Sequence, residues 1–366
     1  MDEKIGKMVE VDHDEMKQMV IRKYETGVPM FVWGAPGIGK SDAVRQASDE
    51  IAKNKGMEVS ERFEDKDKFR VIDQRLAQMD PADIKGIPRM EGESTNWSKP
   101  DWFPTEGSGV IFFDELNLAP PVVQAAAYQV ILDRRLGQYR LPEGFSVVAA
   151  GNRAEDRANT FEMPQPLLNR FSHMKLNPPS VQKWTNWAVN HDIDTRVVTF
   201  INDRKEMLFK FNPDDKTKAF PTPRSVAMVS QDIKGIDTEN SRLIKKLAAS
   251  SCGSGWASEF VSFLKLQEQV DLDNIIKNPE DAELPTRADL CYAVSSGISE
   301  YHLGKDTQQS LKVAATVANR MQPEFGTLLL RMIKQRTDDF AKKIRKLGIW
   351  NEIAKKYRKY LLNDGR

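Results

Sequence analysis

Little in this sequence points to metal or disulfide chemistry. Two cysteines, Cys252 and Cys291, give neither a disulfide framework nor a zinc spacing, which fits a reducing compartment. Four histidines, His13, His173, His191 and His302, stand singly, so each reads as a surface or packing residue rather than a ligand. No apolar run approaches the roughly 18 residues that a membrane helix needs. The opening MDEKIGKMVEVDHDEM is too charged for a signal peptide. The expectation is a soluble, cytoplasmic protein without a membrane segment. Internal repeats and low-complexity tracts are also missing. A net charge of +1 removes whole-chain electrostatics as an argument for nucleic acid or lipid.

A chain of 366 residues, 40% of them apolar, is long enough for two or three domains with proper cores. Residues 12–26 have helical spacing, with Asp12 or Asp14 as the cap. Val28–Trp33 reads as a short buried strand and Asp42–Lys53 as a helix. A charged stretch leads into a strand at Phe69–Asp73, and Gln78–Thr105 looks irregular, rich in Pro, Gly and Trp. GVIFFDE is a buried strand, Pro120–Asp133 a helix, LGQYRLPEG a hairpin or loop, FSVVAAGN a buried strand and HMKL a short one. Strands alternating with helices predict an α/β domain with a parallel sheet covered on both faces. After Pro178-Pro179 the period is helical throughout. The expected domains are 1–178, 179–305 and 306–366, the second break being the softer one.

Between the first strand and its helix stands GAPGIGKS, which matches G-x-x-x-x-G-K-[ST]. Gly34, Ala35, Pro36, Gly37, Ile38 and Gly39 would let the backbone wrap phosphates, with amides and the helix N-terminus as donors. Lys40 would neutralise the β- and γ-phosphates, Ser41 would ligate Mg²⁺, and Asp42 completes the nucleotide-binding set. Asp114 and Glu115 emerge from the end of a buried strand. Asp114 would hold Mg²⁺ through water and Glu115 would polarise the attacking water. Asn152, at the tip of the next strand, either holds that water or the γ-phosphate, or caps the following loop. Arg170 closes the short helix expected at Gln165–Asn169. It is either an ion-pair partner on the surface or a group reaching into a nucleotide site.

The order GAPGIGKS, VIFFDELNLAPP, VVAAGNR, PLLNRF, TPRS resembles the AAA+ ATPases, and within them the MoxR-like group, over residues 28 to about 230. The resemblance implies an AAA+ P-loop core followed by an all-helical lid and a helical C-terminal region. It makes Lys40 and Ser41 the Walker A residues, Asp114 and Glu115 the Walker B pair, and Asn152 the sensor-one residue. Arg170 matches the arginine finger and Arg224 the sensor-two arginine, with Arg153 and Arg157 as rivals facing a neighbour. It implies ATP and Mg²⁺ as cofactors and a homo-oligomeric, hexameric ring. The work expected is remodelling of a protein substrate, with a von Willebrand factor A domain protein as the kind of partner. GTP in place of ATP is left open.

Around Arg224, Pro221 and Pro223 stiffen the approach, and Ser225 is expected to begin a helix. Trp97, Trp102 and Phe103 either grip a partner chain or plug their insert onto the domain, and Tyr139 is placed at the tip of a hairpin that could face a pore. From Arg331 onward Lys and Arg are dense, and Phe340, Ile344, Leu347, Ile353, Tyr357 and Tyr360 keep near-helical spacing. Such basic amphipathic helices either pack with a solvated face or bind an acidic partner, which makes a nucleic-acid motor or loader the second hypothesis.

Overall fold

Apolar runs too long for one-sided strands build the middle of a sheet buried on both faces. The computed structural model describes residues 8–153, 160–215 and 217–361. They fall into two compact units, Met1–Pro179 with Asn212–Lys216, and Ser180–Phe211 with Thr217–Arg366.

The first unit contains β1 (Val9–Val11), α1 (His13–Thr26), β2 (Met30–Trp33), α2 (Lys40–Asn54), β3 (Val59–Ser60), β4 (Phe69–Arg75) and α3 (Pro81–Lys85). It continues with β5 (Pro88–Glu91), β6 (Ser94–Trp97), β7 (Ser108–Asp114), α4 (Pro121–Asp133), β8 (Arg135–Leu136), β9 (Tyr139–Arg140), β10 (Phe145–Gly151), α5 (Gln165–Leu168) and β11 (Ser172–Leu176). Seven strands form one sheet in the order β1-β11-β2-β10-β7-β4-β3, and every pairing in it is parallel. The pleat sends Phe31, Ile111, Phe113, Val147 and Ala149 into one core with Val123, Ala126 and Val130 of α4. Their neighbours Met30, Val32, Val110, Phe112, Val148 and Ala150 are buried on the other face, where α1 and α2 lie against the sheet.

Two of these strands sit in stretches that carry no strand signal. β1 and β3 are the two edges of the sheet. An edge strand is half solvated, so its sequence keeps charge and loses the apolar run. The region expected to be irregular holds α3, started by Pro81 and by the Asp80 amide donating to the Asp83 carboxylate at 2.8 Å, and the antiparallel hairpin β5–β6.

The insert aromatics divide. Trp102 and Phe103 are buried, and the Trp102 indole N–H donates to the Asp83 carbonyl at 3.0 Å. They plug the insert onto the domain and are not available to grip a partner. Trp97 is 38% exposed. Tyr139 is not the tip of its hairpin: Gly137 and Gln138 make the turn, while Tyr139 lies in β9 and its hydroxyl donates to the Trp97 carbonyl at 3.3 Å.

The second unit is helical. One hydrophobic cluster runs from Trp184 through Phe200, Phe260 and Leu329 to Tyr357. The softer sequence break at 304–306 falls on a turn between helices Ala288–Lys305 and Gln308–Arg320 inside this unit. Here buried His302 is bonded to Ser310 and Thr337 at 2.9 and 3.0 Å. The basic tail forms helices Phe340–Arg345 and Trp350–Leu361, which bury Phe340, Ile344, Ile353 and Tyr357. Lys356 turns inward, donating to the carbonyls of Asn319 and Met321 at 2.5 and 2.7 Å.

Candidate nucleotide site

The parallel register brings four strand ends to one edge of the sheet. β10 lies between β2 and β7, with Gly151 beside Trp33. Asn152 and the loop after Trp33 therefore leave the sheet together, and the Gly34 amide donates to the Gly151 carbonyl at 3.2 Å. Gly39 ends the loop at φ 96, a conformation that L side chains rarely adopt, and the next residue begins α2. The helix thus starts at Lys40, two residues earlier than its sequence pattern suggests. Its first amides are left unpaired by the helix itself and point out of its positive end, as an anion site requires. His13, the first residue of α1, fastens the loop from outside: its Nε2 donates to the Ile38 carbonyl at 2.7 Å.

Lys40 and Asn152 meet directly. The Lys40 Nζ donates to Asn152 Oδ1 at 3.2 Å and to the carbonyls of Gly34 and Ala35 at 2.7 and 3.0 Å. Ser41 Oγ donates to Asp114 Oδ2 at 3.0 Å, and the Glu115 amide donates to Asp114 Oδ1 at 2.9 Å. A hydroxyl and a carboxylate side by side are hard oxygen donors of the kind Mg²⁺ takes together with phosphate oxygens. Among the described residues no group of three or more His, Cys, Asp or Glu could hold a metal alone. A third carboxyl lies close by. Burial, and then the charge of Asp114, push Asp73 above the usual carboxylate range, while Arg45 holds its Oδ2 at 3.1 Å. Crowded acids at a strand end favour a cation between them.

Glu115 sits at φ 57, ψ 33, in the left-handed region. For a residue with a Cβ this costs about 1–2 kcal/mol, and such strain gathers at functional sites. The conformation turns the chain sharply after Asp114. Asp42 is exposed on the first turn of α2 and takes no part in the Lys40–Asn152 or Ser41–Asp114 contacts. Its carboxylate favours the helix dipole and has nothing to offer a phosphate.

Sequence reasoning passed over Asn117. It is buried, its Nδ2 donates to the Asn152 carbonyl at 2.7 Å, and its Oδ1 accepts from the Asn152 amide at 3.2 Å. Gly151 permits this approach, since a Cβ there would lie 2.3 Å from Asn117 Oδ1. The available signal was a single amide residue three positions after Asp114.

Arg170 is exposed at the turn after α5 and makes no ion pair among the described residues. It precedes Ser172, which pairs with Met30 at the start of β2, whereas the phosphate loop leaves from Trp33 at its end. Arg170 therefore stands at the opposite end of the sheet from its own chain's loop. Arg224 belongs to the second unit. Thr222 caps its helix, which begins at Pro223 rather than Ser225, and the Arg224 side chain is exposed on the first turn. Arg157 lies outside the described residues.

Residues 29–171 match the family described as AAA domain (dynein-related subfamily). No curated protein matches the chain. Among solved structures, NtrX from Brucella abortus is 16% identical over 95% of this chain and 67% of its own, with a TM-score of 0.33. A RuvB mutant from Thermotoga maritima is 14% identical over 83% of this chain and 87% of its own, with a TM-score of 0.36. These structural likenesses are too distant to add to the geometry. The segment that carries the phosphate loop, residues 29–171, is thus the part of the chain that is similar to AAA domains.

Proposed function

We propose that the segment similar to AAA domains binds and hydrolyses ATP, and that the chain works as a Mg²⁺-dependent MoxR-like AAA+ machine, a hexameric ring whose subunits complete one another's sites. Lys40 binds the β- and γ-phosphates, and Asn152, held against it, keeps the γ-phosphate and the attacking water in line. Glu115 accepts the proton of that water, the step for which a positioned carboxylate is worth roughly 10²–10⁴ in rate. Ser41 and Asp114 would hold Mg²⁺, which supplies charge neutralisation on the phosphate oxygens. Arg224 would report the γ-phosphate to the helical lid. A cation on the first turn of a helix gains nothing from the dipole, so an anion facing it is the reading that gives the residue a purpose.

The observation that carries the ring is Arg170: exposed, without an ion-pair partner among the described residues, and at the far end of the sheet from its own phosphate loop. Set against a neighbour's γ-phosphate it would stabilise the transition state. The work done is remodelling of a protein partner, with a von Willebrand factor A domain protein as the expected kind. The tail's apolar face and Lys356 are spent on packing, so the nucleic-acid reading rests on the exposed Lys342, Arg345, Lys346 and Lys355.

The test mixes two inactive proteins. Lys40→Ala subunits offer Arg170 but cannot use ATP, and Arg170→Ala subunits offer an intact site. Partial recovery of hydrolysis in the mixture is expected. Normal hydrolysis by Arg170→Ala alone would make the helix end mere structure and remove the ground for the ring.

A further inference from the structure

Two hydrogen bonds join the residue before the phosphate loop to the turn that carries Arg170. The Trp33 indole N–H points at His173 Nδ1 at 3.0 Å, and His173 Nε2 lies 2.7 Å from the Leu168 carbonyl. Both roles are fixed by chemistry. An indole N–H only donates, so Nδ1 accepts, and a carbonyl only accepts, so Nε2 carries the hydrogen. His173 is therefore held in one neutral tautomer by its two partners.

The Leu168 carbonyl is also the acceptor that closes the turn, taking the Phe171 amide at 3.1 Å. Leu168, Asn169, Arg170 and Phe171 are the four residues of that turn, so His173 grips the same oxygen that sets the direction of Arg170. Packing backs the link. Phe31 stacks on Trp33 at 4.2 Å between centroids and meets Phe171 edge-on at 5.4 Å. Phe171 in turn meets His173 at 6.2 Å. A single aromatic layer thus connects the end of β2 to Phe171, the residue that follows Arg170.

We propose that His173 is a positioning residue for Arg170: keyed by Trp33 at the root of the phosphate loop, it sets the Arg170 turn for its task on a neighbouring γ-phosphate. The last clause rests on the reading of Arg170 given above; the link from Trp33 to the turn does not.

Three substitutions separate the two bonds. His173→Asn keeps an acceptor near Trp33 and loses the reach to Leu168. His173→Gln keeps a donor for Leu168 and loses the acceptor for Trp33. Trp33→Phe removes only the indole donor and leaves the ring layer, which guards against a histidine variant that fails to fold. Each should lower kcat about tenfold, the worth of one well-placed hydrogen bond, with KM for ATP unchanged. In the full-length protein, His173→Asn should also speed hydrogen exchange of the Phe171 amide, because its acceptor is no longer held.

Mixed subunits tell positioning from general damage. With Lys40→Ala and Arg170→Ala chains combined, His173→Asn on the Lys40→Ala chain, which supplies Arg170, should abolish most of the recovered activity. The same change on the Arg170→Ala chain should leave it intact. Equal losses on either chain would show a merely structural residue and overturn the proposal. Should the parent mixture fail to recover, the trans role of Arg170 falls, and the Phe171 exchange rate decides the link by itself. A wild-type exchange rate in both His173→Asn and Trp33→Phe would then sink it.

Discussion

Asn117 holds Asn152 by both of its backbone groups, donating to the carbonyl at 2.7 Å and accepting from the amide at 3.2 Å. The two-sided grip fixes the peptide of the residue whose side chain meets Lys40. Asn117 is thus one step removed from Lys40, placed by the turn after Glu115.

Truncating it should be costly twice. Asn117→Ala leaves a buried amide and carbonyl without partners, a loss of about 1–3 kcal/mol in stability. Asn152 then loses its fixed direction, and turnover should fall roughly tenfold with little change in ATP affinity. Asn117→Asp should be worse still, because a carboxylate oxygen replaces the donor facing the Asn152 carbonyl. Urea midpoints and steady-state kinetics of the two variants check this; an alanine variant with wild-type turnover would remove Asn117 from the site.

That residue also marks where sequence reading stops. Lys40, Ser41, Asp114 and Glu115 were legible because their signals are local: a glycine loop between strand and helix, and acids at the end of an apolar run. Asn152 was legible as the tip of the next buried strand. Asn117 was not, because its partner lies 35 positions away and only the β10–β7 pairing brings them together. The same holds for β1 and β3, which become strands by completing the sheet edges. Trp102 and Trp97 look alike in sequence, and only burial separates them.

Glu115 combines the proposed role of base with a strained backbone, and two substitutions pull these apart. Glu115→Gln keeps the strain and removes the base. Hydrolysis should fall at least about 10²-fold while ATP still binds. Glu115→Gly removes the base and the strain together, because glycine adopts φ 57 freely. It should lose turnover to a similar extent yet gain roughly 1 kcal/mol of stability over the glutamine variant. Phosphate release, nucleotide binding and denaturant midpoints measured on both proteins decide it. A glycine variant less stable than the glutamine one would contradict the strain assignment.

The insert should respond to its two tryptophans in opposite ways. Trp102 is buried with its indole bonded to the Asp83 carbonyl, so Trp102→Ala opens a cavity and leaves that acceptor bare. A cost of about 3–5 kcal/mol follows. Trp97→Ala removes a side chain that is 38% exposed and should change stability by less than about 1 kcal/mol. Thermal or urea unfolding of the two variants separates them, and equal destabilisation would mean that the hairpin and the loop behind it pack as one.

Alkaline pH should loosen the helical unit in particular. Burial pushes the Cys252 thiol from 9.0 up to about 12, and the Tyr357 hydroxyl from 10.0 up to about 12. Both groups are neutral when protonated, and both hold their proton longer in the folded chain than in the unfolded one. Stability rises with pH only where the unfolded state binds more protons, and here it binds fewer. The contribution is therefore complete below about pH 9, where the unfolded thiol begins to ionise, and is lost progressively as pH climbs toward 12. Other groups titrate in the same range, so the informative quantity is a difference. The urea midpoint of Cys252→Ala should fall less steeply between pH 8.5 and 11 than that of the wild type, in proportion to the share that this thiol carries. Alkylation reports the same event chemically, since only the thiolate reacts. Cys252 should resist iodoacetamide in the folded protein at pH 8 and react readily in urea. Parallel stability curves for the two proteins, or prompt labelling of folded Cys252, would show that the thiol is neither as dry nor as firmly protonated as its surroundings require.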